Sequence, residues 1–165
     1  MTWLEVRQLA AEEWPIFREL RLRALRDAPE AFGTTAAEAE SWGPEEWRQR
    51  LLTRVAFVAL DGEAPIGLAC GIPAERPDEA ELISMWVDPT SRRQGVGGRL
   101  VHAVATWAAT EGFRSLRLWV ARRNPDAEPF YASLGFGRTG EVQPMGGREP
   151  ERLEFAMSRE LSEVS

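Results

Sequence analysis

The chain contains no lysine. All 20 of its basic residues are arginine, set against 26 acidic residues, for a formal net charge of −6. A phosphate site built on a Gly-Lys-Ser/Thr loop is therefore excluded. The acidic balance argues against nucleic acid as a partner, because a face that binds a phosphate backbone normally leaves its domain basic. It is mildly compatible with a cationic ligand. Cysteine occurs once, as Cys70, so no internal disulfide can form, which suits a reducing cytoplasm. No apolar run approaches the ~18 residues of a membrane span, and the N-terminus lacks a basic-then-apolar leader pattern, so no membrane partner is expected. Tyrosine and histidine also occur once each, as Tyr131 and His102. With 165 residues, 44% hydrophobic and 28% charged, the chain reads as a single globular domain over 1–165.

What is present concentrates in one stretch, Val87-Asp88-Pro89-Thr90-Ser91-Arg92-Arg93-Gln94-Gly95-Val96-Gly97-Gly98-Arg99-Leu100-Val101. It follows an apolar run from Leu82 to Val87 and opens a helical pattern, so strand, glycine-rich turn and helix N-terminus come in that order. Such a turn lets backbone N–H groups face a phosphate without Cβ atoms in the way, and the helix dipole adds positive potential. Arg92, Arg93 and Arg99 add cations. A dinucleotide fingerprint would need Gly-x-Gly-x-x-Gly and an acidic residue after the next strand. Here the glycines read Gly-x-Gly-Gly, and the next strand runs into Ala121-Arg122-Arg123. Both nucleotide readings are poor.

Periodicity supplies the rest of the layout. Leu4 to Leu9 alternates as a first strand, and Ala11 to Ala28 is a helix with Phe17, Leu20, Ala24 and Leu25 on one face, stopped by Pro29. Ala31 to Thr35 reads as a loop. Gly43-Pro44-Glu45-Glu46 opens a second helix, with proline first and carboxylates at the positive dipole end. Val55–Leu60 and Ile66–Ile72 flank an Asp61-Gly62 turn as a hairpin. Glu81 to Val87 leads into the glycine turn, Gly98 to Thr110 forms the next helix, and Ser115 to Val120 completes a βαβ unit with parallel strands. Asn124 is expected to cap a short helix that has Pro125 first and closes at Gly135. Phe136–Val142 and Arg152–Ser158 are the last strands, separated by a loop at 143–151.

Two blocks then carry a family resemblance. Arg92-Arg93-Gln94-Gly95-Val96-Gly97 fits the Arg/Gln-x-x-Gly-x-Gly/Ala signature of the GCN5-related N-acetyltransferases, and Asn124 through Phe136 resembles that family's Asn-x-x-Ala-x-x-Phe-Tyr-x-x-x-Gly-Phe segment. The close match covers roughly residues 79 to 137. The resemblance implies an acyl-CoA N-acyltransferase (GNAT) fold: a mixed α/β architecture with a central sheet of about six to seven strands flanked by about four helices. It implies acetyl-CoA as co-substrate, no metal, and direct transfer of the acetyl group to a small-molecule or peptide amine. It leaves room for a homodimer.

The same resemblance assigns site residues. Arg92, Arg93, Gln94, Gly95, Val96, Gly97 and Gly98 would hold the pyrophosphate, and the backbones of Met85, Trp86 and Val87 the pantetheine arm. The Val87 N–H would polarise the thioester carbonyl. Tyr131 falls where the family places the acid that protonates the leaving thiolate. Asn124 would add a contact to CoA secondary to its capping. If strand alternation holds, Glu81 shares a face with Ile83, Met85 and Val87, and Glu79 precedes it there. Glu81, Glu79 or a water would serve as general base, and both glutamates also read as solvated strand-end carboxylates. His102 lies too far along its helix to reach a thioester. Cys70 is most simply a small buried hydrophobe. Trp42 and Trp47 would border the acceptor or pack in the core. A non-catalytic acyl-CoA-binding regulatory protein stays open as the rival reading. Nothing in the sequence distinguishes a small amine, an antibiotic, a peptide N-terminus or a protein lysine as acceptor.

Overall fold

A computed structural model of the protein describes residues 4–29, 32, 34–145 and 152–162. The elements run β1 (Leu4–Gln8), α1 (Trp14–Asp27), α2 (Ala36–Glu40), α3 (Pro44–Leu52), β2 (Val55–Asp61), β3 (Ala64–Pro73), β4 (Glu79–Val87), α4 (Val96–Thr110), β5 (Ser115–Ala121), α5 (Ala127–Ser133), β6 (Gly137–Pro144) and β7 (Leu153–Glu160). The strands form one seven-stranded sheet in the order β1-β2-β3-β4-β5-β7-β6. Only β4 and β5 are parallel neighbours, joined by α4, and every other pair is antiparallel. This is the mixed sheet expected from the βαβ pattern, with all seven expected strands present.

Helices cover both faces. On one, Leu100, Val101 and Val104 of α4 pack over Ala69, Leu82, Leu116 and Met157, joined by Phe130 and Leu134 near α5. On the other, Phe17, Leu20 and Leu25 of α1 and Trp47 of α3 pack over Val58, Leu68 and Cys70. Trp47 is fully buried, edge-on to Phe17 (5.7 Å) and to Trp42 (5.0 Å), so both tryptophans belong to the packing under the sheet.

Four local details differ from the sequence reading. A fifth helix, α2, lies just after the expected loop at 31–35, in a stretch to which the sequence reading assigned no element. Its start is a Thr-x-x-Glu cap, with the Thr35 hydroxyl accepting from the Glu38 N–H at 3.1 Å. The segment Ala11–Glu13 is a 3-10 turn that precedes α1 rather than its first turn. Helix α4 begins at Val96, and α5 at Ala127 rather than Pro125. The loop expected at 143–151 starts later, since β6 continues to Pro144, and its residues 146–151 lie outside the described residues.

Leu100 is fully buried at the point where α4 meets the sheet. Leu100→Ala removes those contacts and leaves a cavity, so a loss of about 2–5 kcal/mol in unfolding free energy is expected by urea titration.

Candidate active site

The site exists because β4 and β5 stop pairing. Their parallel ladder contains only Glu79↔Ser115, Ala80↔Leu116 and Glu81↔Arg117. Beyond it the register of β4 on β3 shifts by one residue, with Cys70 opposite Ile83 but Leu68 opposite Trp86. Ser84 takes a left-handed φ of 56° inside this bulge. An extra residue in one strand bends and twists it away from its neighbour. The parted strands open a cleft of about 300 Å³, with Glu81 to Met85 on one wall and Leu118 to Ala121 on the other.

The bulge also overturns the expected alternation. Glu81 does not share a face with Met85 and Val87. Ala80, Leu82, Met85 and Val87 face α4, whereas Ile83 and Trp86 face α1. The extra residue resets the period-2 pattern, which no alternation argument can anticipate.

Backbone polarity at the mouth of the cleft follows from the ladder. The Asp88 N–H donates to Ile66 O at 2.8 Å, which makes that a hydrogen-bonded pair. Antiparallel pairs alternate, so the next pair, Gly67↔Val87, directs its N–H and C=O groups away from the ladder, and Leu68↔Trp86 is bonded again. The Val87 N–H therefore points to the side that β5 has vacated. The backbone of Trp86, expected to serve alongside those of Met85 and Val87, is instead committed to β3.

The glycine turn sits directly beyond. Arg93 (φ 65°) and Gly95 (φ 80°) both adopt positive φ, which curls successive amides toward one side in the manner of an anion nest. Past the turn the first backbone bond runs from the Arg99 N–H to Gly95 O (3.2 Å), and among the described residues no backbone acceptor meets the amides of Val96, Gly97 and Gly98. A helix N-terminus with free amides favours an anion. Gly97 has a further reason to be glycine: a Cβ there would lie 2.9 Å from Phe130 Cζ and 3.2 Å from Met85 Cε. Its missing side chain is needed for close packing against α5 and β4, a demand that the sequence alone did not reveal.

The turn's arginines divide by role. Arg92 turns back, donating to Val87 O (2.9 Å) and to Asp27 Oδ2 (2.8 Å), so its side chain braces the turn instead of facing a ligand. Arg99 reaches Leu4 O at 3.2 Å. Among the described residues no hydrogen bond or ion pair engages Arg93, which is exposed beside Gln94. A groove of about 540 Å³ runs from Gly95 and Gly98 past Arg99 and His102 to Arg159. His102 lies on this outer groove and not in the cleft.

Tyr131 and Asn124 line the cleft from α5 and the loop before it. The Tyr131 ring is edge-on to Phe136 at 5.8 Å, and burial pushes its hydroxyl well above the ordinary phenol value. Asn124 does not cap α5 with its side chain. The residue at the cap position is Asp126, with no side-chain cap bond, and Asn124 engages the turn through its backbone, its C=O accepting from the Ala127 N–H at 3.3 Å. The start of α5 two residues later than expected leaves the Asn124 amide on the cleft wall.

The two candidate bases are separated. Glu81 is half-buried on the cleft wall, and burial raises its carboxyl, opposed by Arg117 and assisted by Glu154 and Glu79. Glu79 is buried away from the cleft. It accepts from Ser115 Oγ (2.9 Å), Ser158 Oγ (3.3 Å) and Arg117 Nη1 (3.4 Å), which makes it a crosslink between β4, β5 and β7. A second cleft carboxylate, Glu154 on β7, was missed by the sequence reading. Its carboxyl is also raised by burial, and Gln143 Nε2 donates to it at 2.7 Å. No motif marks it, because its approach depends on β7 pairing with β5 at Ala121.

With this geometry in view, comparison with known proteins is decisive for the family. The profile of the Acetyltransferase (GNAT) family matches residues 3–136. The chain belongs to the GNAT family. An uncharacterized N-acetyltransferase of Methanocaldococcus jannaschii is 28% identical over 138 residues, covering 79% of this chain and 59% of that protein. The chain thus spans about three fifths of the length of the curated relatives that it matches first. Among solved structures, a GNAT acetyltransferase from Streptococcus pneumoniae superposes with a TM-score of 0.81 at 18% identity, covering 97% of this chain and all (100%) of that one. A phosphinothricin acetyltransferase from Sinorhizobium meliloti, in complex with AcCoA, gives 0.75 at 22% identity, covering 98% and 90%. At these identities the structures share the GNAT fold.

Within this GNAT chain the two glutamates should respond oppositely to neutralisation. Glu79→Gln weakens the buried contact to Arg117, which retains Glu141, so a loss of about 2–3 kcal/mol is expected, below the full penalty for stranding a buried charge. Glu81 behaves the other way. The folded chain holds its proton more tightly than the unfolded chain, so its stabilising contribution is complete below the ordinary glutamate range and is lost as pH rises through the raised folded value. At neutral pH Glu81→Gln should therefore be at least as stable as the parent. Chemical denaturation at pH 7 checks both, and equal losses would show that the two carboxylates are equivalent.

Proposed function

We propose that the protein transfers the acetyl group of acetyl-CoA to a primary amine, by direct attack with both substrates bound. The observation that carries this reading is the shared cleft: Glu81 and Tyr131 line the gap toward which the Val87 N–H points. The amides of Val96, Gly97 and Gly98, with Arg93, suit the pyrophosphate, and the groove along α4 offers a course for the nucleotide half. Asn124 stands where the pantetheine arm would pass.

In this reading Glu81, directly or through a water, accepts the proton that the ammonium must lose. A lysine-like ammonium has a pKa near ~10.4, so this step limits the reactive fraction at neutral pH. A carboxyl raised by burial is better matched to the task than a solvated one. The amine nitrogen then bonds to the thioester carbon, the developing oxyanion is met by the Val87 N–H, the C–S bond breaks, and the Tyr131 hydroxyl gives its proton to the sulfur. The proton that the nitrogen sheds on becoming an amide returns, through solvent, to the phenolate. A preorganised oxyanion donor of this kind is typically worth ~3 kcal/mol. Burial makes Tyr131 a weaker acid, but a thiolate released into the same cleft is also desolvated and holds a proton more strongly. Direct transfer is favoured because Cys70 has no access to the cleft: it is fully buried, and burial pushes its thiol up to about 11.

Two measurements test the proposal. CoA and acetyl-CoA should raise the melting temperature by ligand linkage, with ATP doing so much less. Equal stabilisation by ATP would mean that the turn is a general phosphate site. Tyr131→Phe keeps the ring and its packing while removing the hydroxyl. A fall in kcat of about 100- to 10,000-fold with little change in the KM for acetyl-CoA is expected of a positioned acid. A loss below about threefold in the folded variant would assign the proton to water or another group. Glu81→Gln should show a defect that shrinks as pH rises and free amine becomes abundant, whereas the Tyr131→Phe defect should not.

A further inference from the structure

The wall of the cleft opposite α5 carries a charge that no described carboxylate meets. Arg21 of α1 is 9% exposed, lines the cleft beside Phe32 and Thr34, and among the described residues forms no hydrogen bond or ion pair. Its Nη1 is fully buried and unpartnered, and its guanidinium carbon lies 5.0 Å from the centre of the Phe32 ring. Among the described residues the neighbouring cation Arg54 donates to the carbonyl of Arg50 (2.9 Å) and to the Cys70 sulfur, and no carboxylate pairs with it. Cys70 adds no countercharge, because its thiol stays neutral. Burial, reinforced by repulsion from Arg54 and Arg50, lowers Arg21 to about 10, which still leaves it charged at neutral pH. Among the described residues the other arginine below a tenth exposed, Arg117, is paired with Glu79 and Glu141. A buried cation left unpaired costs several kcal/mol, and stacking on Phe32 offsets only part of that.

We infer that Arg21 binds a carboxylate of the acceptor, so that the acceptor is a small amino-carboxylate whose amine meets Glu81 while its anionic group closes the charge gap under α1. This rests on the acetyltransferase reading above and deepens it. Arg21 is a specificity residue and no part of the chemical step. A guanidinium carries donors besides the buried Nη1 and suits a carboxylate, and Glu81 and Glu154 repel an anion from the other walls. The cleft is thus cationic on the α1 side and acidic at Glu81 and Glu154, which matches a zwitterion.

The experiment compares free amino acids with their carboxamides and with the amines lacking the carboxyl, by thiol release from acetyl-CoA. The native enzyme should prefer the carboxylate form by at least about tenfold in kcat/KM, the factor expected of a charge-assisted hydrogen bond. Arg21→Gln should raise the KM for the carboxylate acceptor about 10- to 100-fold with kcat little changed, while the carboxamide is affected far less. Arg21→Lys should restore part of the preference. The melting temperature of Arg21→Gln should hold or rise, because an uncompensated buried charge has been removed. Equal use of acid and amide by the native enzyme, or an equal loss on both accompanied by a lower melting temperature, would overturn the inference and make Arg21 structural. If no amine in any series is acetylated, the acetyltransferase reading itself fails. Arg21 is then tested by binding alone: N-acetylated amino acids must raise the melting temperature of the native protein but not that of Arg21→Gln, and absence of any such shift overturns the assignment.

Discussion

The cleft of this protein depends on two parallel strands that part after three paired positions. A sheet that continued to pair would fill its own centre with backbone hydrogen bonds and leave no room for a substrate. The extra residue at Ser84 prevents that. It holds β4 on β3 in a shifted register, turns the N–H of Val87 toward open space, and moves Met85 to the α4 face, where it meets the glycine turn. The seat of the glycine turn, the direction of the Val87 N–H and the cleft wall are therefore consequences of one bulge.

The parted edge must still be held in place, and α1 does this. The Asp27 carboxylate near its C-terminus accepts from the Trp86 indole N–H (2.9 Å) and from Arg92 (2.8 Å), one partner on each side of the bend from β4 into the turn. Arg23 pairs with Asp88 and donates to Pro65 O at 2.8 Å. The Asp88 carboxylate, drawn below its usual range first by the Thr90 hydroxyl, also takes the Thr90 N–H and fixes the Pro89–Ser91 turn. The helix that carries Arg21 is thus fastened to the glycine turn. Movement of α1 would shift one wall of the cleft and the turn together.

How much of this was legible follows from the range of each interaction. Strands, long helices and the glycine turn depend on local periodicity and on residues adjacent in the chain, and the sequence reading placed them within a few residues. The cap at Thr35 was also local and was passed over because α2 is so short. The remaining differences share one cause: they depend on contacts across the sheet. The facing of Glu81 is reset by a bulge that no alternation count can contain. Arg92 sits in the motif, yet its side chain goes to Asp27, 65 positions earlier in the chain. Glu154 and Arg21 carry no motif at all, since their meaning arises only when β7 pairs with β5 and α1 packs across the cleft. A missing partner is a property of three-dimensional neighbours, and a sequence does not list them.

The absence of lysine acquires a physical sense in this setting. If the cleft holds an activated acyl group, as proposed, any lysine there would be exposed to acylation, because a buried ammonium is readily lowered to a nucleophilic amine. A guanidinium offers charge without that hazard. Even at the value of about 10 to which burial brings Arg21, it remains protonated at neutral pH and has no lone pair to attack with. Its planar fork also matches a carboxylate better than an ammonium does. On the proposed reading, arginine at the turn and at the α1 wall would attract anions at both ends of the cleft and leave the incoming amine as the nucleophile beside the thioester.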